Sequence, residues 1–346
     1  MIHLRMFDYT GEGRGDGGRL SCVVIGLNCA RTIVPCLESI KGSDYDGPIE
    51  VIYVDGGSAD GSPDLAKAVG GVDVIELRHV NPTPGRGRNA GWKASKGEVV
   101  HFFDADVKAD RLWLRNALGA FGGKTAAVCG NSMESHPDRN WYHMVADIEW
   151  KTAGGDARYF GGVVAIKRKV LEETGGYDEG LIAGEDPELS SRITMLGYGI
   201  RRLDETMCYH DIDMTGLMQY FRRCFRTGYG YAEAGLMLAA RGDTEWSVRT
   251  AKVVAKTAAT ATLLAAGYML ESPALLFLAL LCNAAPIAKI PYFRRRHSLT
   301  WRKSVVYALH LSVCAYPMAL GCLRYFGGKL TGRPYTNRGL VFRRNI

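Results

Sequence analysis

The residues best suited to chemistry are Asp104 and Asp106, which stand one alanine apart after the apolar run at residues 99–103. If that run is a buried strand, both carboxylates leave its C-terminal end, where open α/β sheets bind ligands. Two acidic groups this close repel each other unless a cation lies between them or one keeps its proton. A hard divalent cation accepts such oxygens and commonly shares its shell with substrate phosphates. The pair therefore indicates a metal site, and an acidic turn is the alternative.

Other polar residues stand at neighbouring positions of the expected sheet. Asn28 and Asp55 each end a short apolar run, and Arg88 lies in a glycine-rich stretch at residues 85–91. An aspartate oxygen can accept a hydrogen bond from a uracil-like ring N–H or from a ribose hydroxyl. A glycine-rich loop with free backbone N–H groups and a guanidinium suits a diphosphate. A base, a sugar, two phosphates and a metal thus each have a candidate partner.

The elements that must position these residues alternate between strand and helix. The sequence predicts a strand at each of four apolar runs, residues 21–27, 49–54, 72–77 and 99–103. Helices are predicted between them, at residues 30–40, from residue 64, and from the glycine-rich loop to about residue 96. Ser62 is the predicted N-cap of the second helix, with Pro63 at its first position. This alternation predicts an α/β fold with a mostly parallel, doubly wound sheet whose strand ends line one crevice.

Composition and charge divide the chain into two parts. Of the 346 residues, 47% are hydrophobic and 23% charged, which predicts a folded chain with room for more than one domain. Apart from one basic patch, charge almost vanishes between residues 253 and 326, and the net charge of +7 owes much to the last fifty residues. That pattern suits an anionic membrane surface, and the lack of an aromatic-interleaved basic groove argues against nucleic acid. The nine cysteines show no metal-ligand spacing, which favours a reducing cytoplasm.

Four motifs occur in one order along the N-terminal half: Asn28, VDGGSADGS at residues 54–62, GRNAG at residues 87–91, and Asp104-Ala105-Asp106. With these motifs, residues 21 to about 240 resemble a family 2 glycosyltransferase of the GT-A fold, a Rossmann-like nucleotide-diphospho-sugar transferase. The resemblance implies a nucleotide-activated sugar donor, Mg2+ or Mn2+ as cofactor, and inversion at the anomeric carbon. It further implies that Asp55 reads the nucleotide base, that Asp104 helps to hold the nucleoside, and that Asp106 ligates the metal.

The second half of the GT-A region holds the candidate catalytic residues, Glu185 and Asp186. The resemblance makes Asp186 the general base and Glu185 its neighbour. An acceptor hydroxyl is a poor nucleophile, and a carboxylate within hydrogen-bond reach removes its proton as the new bond forms. Adjacent acids at a helix start also complement the helix dipole, which is the alternative use.

Further site residues follow from the same resemblance. Gly161 and Gly162 open a predicted strand at residues 159–166 and are assigned to the nucleotide sugar. His210 follows a strand predicted in two pieces, residues 200–203 and 207–209. Similar enzymes often place a histidine there, near the diphosphate or the metal. We therefore assign His210 to the metal site together with Asp104 and Asp106.

A basic helix is predicted at residues 217–225, with arginines on one face: Arg222, Arg223 and Arg226. The plain interpretation is an amphipathic surface helix with a solvated basic side. These arginines also suit acidic phosphates of the leaving diphosphate, of a lipid-linked acceptor or of the bilayer. Gln219-x-x-Arg222-Arg223 is similar to the Gln-x-x-Arg-Trp element of processive polysaccharide synthases. Arginine replaces the tryptophan here, which argues against the processive class.

Two apolar regions, residues 253–288 and 305–325, predict two or three membrane helices. The first region is too long for one untilted span and short for two, with a break at residues 271–273. Basic residues favour the cytoplasmic side. If the first region forms a hairpin, residues 294–303 stay on the cytoplasmic side, and the second region must then re-enter the membrane or lie flat on it. If the first region crosses only once, only the basic C-terminal tail lies on the cytoplasmic side. We expect an inner-membrane protein with a cytoplasmic catalytic domain, and a soluble helical bundle is the alternative.

The predicted organisation is a flexible tail (1–19), a GT-A domain (20–245, with a nucleotide-sugar half at 20–107 and an acceptor half at 108–245), hydrophobic helices (250–326) and a basic tail (327–346). The predicted function is inverting, metal-dependent transfer of a sugar, in the hexosyltransferase class, from a UDP- or GDP-sugar to a hydroxyl acceptor. A glycolipid or lipid-linked glycan of cell-surface polysaccharide or glycoconjugate synthesis is the expected acceptor. Two alternatives stay open: transfer to polyprenyl phosphate, and a catalytically silent nucleotide-sugar-binding membrane scaffold.

Overall fold

The computed structural model describes residues 19–77 and 82–332. The predicted flexible tail, apart from residue 19, and residues 333–346 of the predicted basic tail lie outside the described residues. The chain divides into two compact units. The first unit comprises Met1–Met133, Thr152–Gly180 and Leu189–His210, and the second comprises Glu134–Lys151, Leu181–Glu188 and Asp211–Ile346.

One mixed sheet organises the first unit. Its strands are β1 (Leu20–Gly26), β2 (Ile49–Asp55), β3 (Asp73–Glu76), β4 (Val99–Asp104), β5 (Val107–Ala109), β6 (Thr125–Glu134), β7 (Gly155–Ala157), β8 (Val164–Lys167) and β9 (Gly199–His210). Their spatial order is β3-β2-β1-β4-β8-β6-β9-β5, and β7 pairs with β9. Strands β3, β2, β1 and β4 are parallel, whereas β8 pairs antiparallel with β4 and β6, and β5 and β7 with β9. The predicted α/β fold with a mostly parallel central sheet is confirmed.

Helices follow the strands along the chain. They are α1 (Ile33–Lys41), α2 (Ser62–Ala68), α3 (Pro84–Ala94), α4 (Trp113–Gly119), α5 (Trp141–Trp150), α6 (Arg168–Thr174) and α7 (Glu185–Met195). Helix α5 and the first turn of α7 belong to the second unit. The core of the first unit lies on the central strands, whose apolar runs are almost wholly buried; examples are Val23, Ile52 and Phe102. Burial of these runs on both faces is typical of parallel strands covered by helices.

The glycine-rich stretch at residues 85–91 is helical, so the predicted loop is wrong. Helix α3 begins at Pro84, and the N-cap Thr83 accepts a hydrogen bond from the Arg86 amide at 3.3 Å. A Cβ at Gly91 would collide with the Val23 side chain of β1, so glycine allows the helix to lie directly on the strand. The backbone N–H groups from Arg86 onward are already paired, with Thr83 at residues 86 and 87 and within the helix beyond them. They are therefore unavailable to a diphosphate, contrary to the expectation for a loop.

Several predicted boundaries also differ. Helix α2 has Gly61 as N-cap, and Ser62 is its first residue because the Ser62 hydroxyl donates to Asp60 Oδ1. The strand predicted at residues 159–166 is only β8, since the glycines before it are not in the sheet. The two pieces predicted at residues 200–209 form the single strand β9. Each difference arises from side-chain or long-range pairing that local patterns do not contain.

His101 is a fully buried histidine at the centre of β4. Its Nε2 accepts a hydrogen bond from Trp113 Nε1 at 2.5 Å, and its ring stacks on Phe103 with centroids 4.4 Å apart. Burial lowers the pKa of His101 from 6.5 to about 3, because the imidazolium would lose its hydration. The folded chain therefore holds this imidazole neutral.

We expect His101→Gln to flatten the acid dependence of stability. Between pH 6.5 and about 3 the unfolded chain binds a proton at His101 that the folded chain does not. The free energy of unfolding must therefore fall as the pH decreases through this window. Glutamine cannot titrate but can still accept from Trp113. The melting temperature of both proteins, measured from pH 7 to pH 4, should decline less steeply for the variant; parallel curves would contradict the assignment.

The second unit is mainly helical. Its C-terminal helices are α8 (Leu217–Ala239), α9 (Glu245–Met269), α10 (Pro273–Ala288), α11 (Ile290–Arg296), α12 (Trp301–Val313) and α13 (Ala315–Thr331). Helix α8 is much longer than the helix predicted at residues 217–225. Within the described ranges, two helical stretches are long and apolar enough to cross a membrane, Pro273–Arg296 and Trp301–Thr331. The protein buries 11% of the apolar window in the first stretch and 44% in the second.

Candidate functional site

Asp106 and His210 meet at the end of the sheet. Asp104 ends β4, and Asp106 immediately precedes β5. Strands β5 and β9 are antiparallel, with Val107 opposite His210. This register places His210 Nε2 3.2 Å from Asp106 Oδ2, with both side chains partly exposed. The structure thus brings together two of the three residues predicted to hold a metal, although 104 positions separate them in the chain.

Arg88 connects helix α3 to the third of these residues, Asp104. The Arg88 side chain is only 2% exposed, and its Nη2 donates to Asp104 Oδ1 at 3.0 Å and to the Gly162 carbonyl at 3.3 Å. Its guanidinium also lies over the Tyr177 ring, 5.3 Å from the centroid. A buried guanidinium needs such partners because desolvation of its charge is costly. Arg88 therefore positions Asp104 in this conformation, and Tyr177 is a supporting residue that sequence reasoning missed.

Gly162 lies directly against this ion pair. A Cβ at Gly162 would lie 2.5 Å from Asp104 Oδ2 and 2.8 Å from Arg88 Nη2, distances that real side chains do not tolerate. A Cβ at Gly161 would meet no atom within 4 Å among the described residues. The two glycines, predicted together for the nucleotide sugar, are therefore not equivalent. Only Gly162 is required by the packing of the site.

We expect Gly162→Ala to lower kcat/KM for the predicted sugar donor by roughly 10²-fold, because the methyl group displaces the Asp104 carboxylate and small misplacements cost this much. Gly161→Ala is the matched control, and we expect it to change kcat/KM by less than about twofold since it adds the same methyl group in open space. Steady-state rates with varied donor test the pair. Equal losses in both variants would show that contact with Asp104 is not the cause.

Asp55 is buried at the end of β2, and groups of this chain fill all the hydrogen-bond acceptor positions of its carboxylate. The Asp55 residue is only 1% exposed. Oδ1 accepts from Tyr53 Oη at 2.8 Å and Ser58 Oγ at 2.5 Å, and Oδ2 accepts from the amides of Gly57 at 2.8 Å and Ser58 at 2.7 Å. A carboxylate offers about four acceptor positions, so all are filled. A base N–H can reach Asp55 only after one internal donor leaves, and the Ser58 hydroxyl can do so by rotation.

Asn28 joins the loop after β1 to the loop after β2. Its φ of 51° lies in the left-handed region, which asparagine tolerates. The Asn28 backbone amide donates to Ser58 Oγ at 2.7 Å, and Asn28 Oδ1 accepts from the Ala59 backbone amide at 3.0 Å. Two more bonds join the same loops, from Cys29 N to Ser62 Oγ and from Ala30 N to Asp60 Oδ2, both at 2.9 Å. Asn28 and Asp55 are thus linked through Ser58, a residue that sequence reasoning missed although its loop is rich in serine and aspartate.

Asp55 and Asp104 lie at the same edge of the sheet. In the parallel register of β1, Gly26 pairs with Asp55 on one side and Ile25 pairs with Asp104 on the other. The aspartates at the ends of β2 and β4 therefore flank the end of β1, as the sequence predicted. This edge carries the carboxyl ends of the parallel strands, where doubly wound sheets bind nucleotides.

The donor atoms of Asp106 and His210 fit a divalent cation. A carboxylate oxygen and an imidazole nitrogen 3.2 Å apart can both reach an ion with bonds of about 2.1 Å. Carboxylates suit Mg2+ and Mn2+ alike, whereas imidazole suits transition metals better than Mg2+. The residues of this site therefore fit the metal implied by the resemblance, with Asp104 as the neighbouring carboxylate.

The remaining predicted residues lie in the second unit. Glu185 and Asp186 form the first turn of α7, directly after Gly184, whose φ is +89°. Arg222, Arg223 and Arg226 lie on α8, where the predicted amphipathic character holds. The Arg223 guanidinium lies over the Trp150 ring, 5.6 Å from its centroid.

A second group of potential metal ligands escaped the sequence analysis. Glu134 and His143 have ligand atoms within 4.8 Å of those of the distant residue Asp211 and of each other. His143 Nδ1 lies 2.8 Å from Glu134 Oε1 and 3.9 Å from Asp211 Oδ1. Glu134 also accepts from the backbone amides of His136 and Ile212, at 3.0 and 3.1 Å. These donors satisfy the buried carboxylate, so the group holds residues 134–136 and 211–212 together without needing an ion.

Comparison with known proteins agrees with this architecture. Residues 21–174 match the glycosyl transferase family 2 model, and residues 142–213 match the model described as the N-terminal domain of galactosyltransferase. Fold and matches together define a glycosyltransferase of the GT-A class. Residues 21–174 therefore form a glycosyltransferase family 2 domain.

Individual relatives are distant. Glycosyltransferase AglE of Haloferax volcanii is 23% identical over 228 residues, which cover 63% of this chain and 74% of that protein. The pre-mycofactocin glycosyltransferase of Mycobacterium tuberculosis is 28% identical over 177 residues, 47% of this chain and 37% of that protein. The solved mannosyltransferase PcManGT from Pyrobaculum calidifontis, in complex with GDP-Man and Mn2+, is 20% identical with a TM-score of 0.58. That comparison covers 88% of this chain and 87% of the other, and it supports the fold.

Proposed function

We propose that the protein is an inverting, metal-dependent glycosyltransferase that moves a sugar from a nucleoside-diphosphate sugar to an acceptor hydroxyl. The observation that carries the proposal is the pairing of Asp106 with His210, beside the Arg88–Asp104 ion pair, at the nucleotide-binding edge of the sheet. The complex of the similarly folded PcManGT with GDP-Man and Mn2+ supports the same ligand class. A UDP- or GDP-sugar is the donor we propose.

The donor site is formed by residues of the first unit. We assign the base to Asp55 after rotation of the Ser58 hydroxyl, with Asn28 holding the loop that carries it. Asp104 accepts from the nucleoside, and Arg88 keeps its carboxylate in place. Gly162 lies against the same carboxylate, and we assign it, with the neighbouring Gly161, to the sugar.

The metal site comprises Asp106 and His210, with Asp104 as the adjacent carboxylate. Mn2+ fits this donor set better than Mg2+, because one donor is an imidazole. When bound, the cation supplies positive charge that stabilises the diphosphate leaving group. Asp106 and His210 must therefore be unprotonated at the atoms that face each other, which favours activity at neutral rather than acidic pH.

Asp186 is the general base of the proposed reaction, with Glu185 as its neighbour. As the acceptor oxygen bonds to the anomeric carbon, the bond from that carbon to the diphosphate oxygen breaks and the acceptor proton passes to Asp186. A single displacement of this kind inverts the anomeric configuration and leaves no sugar on the enzyme. An acceptor phosphate would need no base, so Asp186 also favours a hydroxyl acceptor over polyprenyl phosphate.

The acceptor we propose is a glycolipid or lipid-linked glycan at the cytoplasmic face of the inner membrane. Apolar helices of the second unit are exposed as a bilayer would require. Arg222, Arg223 and Arg226 on α8 supply guanidinium groups for phosphates of such an acceptor or of lipid headgroups.

The experiment is donor turnover by the detergent-purified chain. With Mn2+ and a panel of UDP- and GDP-sugars, one donor should be hydrolysed slowly, and proton NMR should show that the first-formed free sugar has the opposite anomeric configuration to the donor. Addition of lipid extract should accelerate consumption of that same donor. Retention of configuration, or turnover unaffected by chelation of the metal, would contradict the proposal.

A further inference from the structure

The chain leaves the sheet directly after His210, the last residue of β9. From residue 211 to residue 216 it has neither helix nor strand, and α8 begins at Leu217. Asp213 has a φ of 45°, in the left-handed region that aspartate tolerates better than most residues. Strand pairing therefore ends at His210, and the residues that follow, segment 211–214, must be held by other contacts.

Glu134 holds this segment at its second residue. It ends β6, a neighbour of β9 in the sheet, and its side chain is fully buried. Oε2 accepts from the Ile212 amide at 3.1 Å, and Oε1 accepts from the His136 amide at 3.0 Å and from His143 Nδ1 at 2.8 Å. A carboxylate has no hydrogen to give, so the His143 ring donates and orients the group. Ile212 is thereby attached two residues beyond His210.

Two residues just before α5 hold the other end of segment 211–214. Asn140 is the N-cap of α5, and its Oδ1 accepts from two amides of the first turn at 2.9 and 3.2 Å. Its Nδ2 donates to the Met214 carbonyl at 2.9 Å. Arg139 Nη1 lies 3.7 Å from Asp213 Oδ1. Three successive residues of the segment are thus attached to the chain between β6 and α5.

The end of β9 sets the place of the His210 imidazole. His210 Nε2 lies 3.2 Å from Asp106 Oδ2, and the two groups must keep this spacing to share one ion. A functional group of this kind has to be held within about 0.5 Å by its supporting residues. Strand β5, which pairs with the end of β9, is only three residues long. The strand end therefore needs a second hold, and the contacts of segment 211–214 supply it.

We propose that Glu134 is a positioning residue for the metal ligand His210. It acts through the backbone that follows His210 and is not itself a ligand. His143 and Asn140 support it, the first by orienting the Glu134 carboxylate and the second by fixing the end of segment 211–214. This inference rests on the metal site of the proposed function.

Glu134→Gln tests the inference because it keeps the size of the side chain but replaces one oxygen by an NH2 group. The orientation that keeps two hydrogen bonds leaves the oxygen with His136 and His143. It turns the NH2 group towards the Ile212 N–H, where two donors repel each other, so segment 211–214 should loosen. We expect the dissociation constant for Mn2+ to rise about tenfold, a usual cost of losing an outer-shell partner. The EPR signal of free Mn2+, which is lost on binding, measures this constant for the detergent-purified chain.

Asn140→Asp is a second variant, chosen to keep the fold. Aspartate is as good an N-cap as asparagine, so α5 keeps its start, but aspartate cannot donate to the Met214 carbonyl. We expect a smaller rise of the Mn2+ dissociation constant. Glu188→Gln is the control for lost stability, because Glu188 is 1% exposed and its ion pair with Arg241 does not involve segment 211–214. This control should melt at a lower temperature and bind Mn2+ as the native chain does.

Asp106→Asn serves as the reference for the site itself and should lose most of the Mn2+ binding. Binding that survives in Asp106→Asn but is lost in Glu134→Gln would make Glu134 a ligand and overturn the inference. A constant unchanged in both Glu134→Gln and Asn140→Asp, or an equal rise in Glu188→Gln, would overturn it too. If Glu134→Gln does not fold, Asn140→Asp decides.

Failure of the inference is distinguishable from failure of the proposed function. A native chain that binds no Mn2+ would refute the proposed metal site and this inference with it. Native binding that persists unchanged in both variants of the supporting contacts would refute the inference alone and leave the metal site standing.

Discussion

Asp186→Asn is expected to lower the rate of transfer to the acceptor by roughly 10²–10⁴-fold, the usual contribution of a general base. Asparagine keeps the size of the side chain at the start of α7 but cannot take the acceptor proton. Donor binding should be unchanged, because Asp186 is assigned only to the acceptor. Initial transfer rates and donor-dependent thermal shifts, measured on the same preparations, separate the two effects.

A neighbouring acid provides the control for this variant. Glu188 lies in the same first turn of α7 and is paired with Arg241, so it has a structural partner. Glu188→Gln should lower stability while retaining most of the transfer rate per folded molecule. If Asp186→Asn left transfer intact, the base would lie elsewhere or the acceptor would be a phosphate. The second outcome is the polyprenyl-phosphate alternative, and it would be recognised by a phosphodiester-linked product.

Asp106→Asn is expected to lower kcat/KM for the donor by roughly 10³-fold or more. A metal that stabilises a leaving group contributes several kcal/mol, and each 1.4 kcal/mol or so is a factor of ten. Asparagine keeps one oxygen but loses the negative charge beside His210. Activity should also require much more Mn2+, and a titration of rate against Mn2+ measures this change.

Asp110→Asn is the matched control. Asp106 precedes β5 and contacts His210 of β9, and Asp110 follows β5 directly and contacts Tyr209 of β9 in a similar way. We expect an unchanged Mn2+ requirement in this variant. A similar loss in both variants would attribute the effect to the β5–β9 pairing rather than to a ligand. An unaltered Mn2+ dependence in Asp106→Asn would remove Asp106 from the metal site.

The parallel half of the fold could be predicted because its signals are local. Strands β1, β2 and β4 are continuous apolar runs that end in a polar residue, and each was predicted to within about one residue. The position of Asp55 and Asp104 at one sheet edge then follows from the parallel topology alone. Glycine has a low helix propensity, so the glycine-rich stretch was predicted to be a loop. In the structure the stretch lies in α3, where glycine allows close contact with β1.

Other features of the site depend on contacts that no local pattern contains. His210 reaches Asp106 through the antiparallel register of β5 and β9, and only the family resemblance pointed to it beforehand. Asp55 accepts four hydrogen bonds, from Tyr53 and from the loop at residues 57–58. The motif at residues 54–62 contains this loop, but the motif alone does not give the geometry of the hydrogen bonds. The attachment of α12 through His310 and Glu149 joins residues 161 positions apart.

The most direct test of the central claim, that this site binds a nucleoside-diphosphate sugar together with a divalent metal, is a thermal-shift panel. The purified chain is melted with each of a set of UDP- and GDP-sugars, with and without Mn2+. A ligand that binds only the folded state raises the melting temperature by mass action. We predict that at least one nucleotide sugar raises it only when Mn2+ is present, and that Asp106→Asn loses this shift. A panel without any Mn2+-dependent shift, or a shift that persists in Asp106→Asn, would contradict the account.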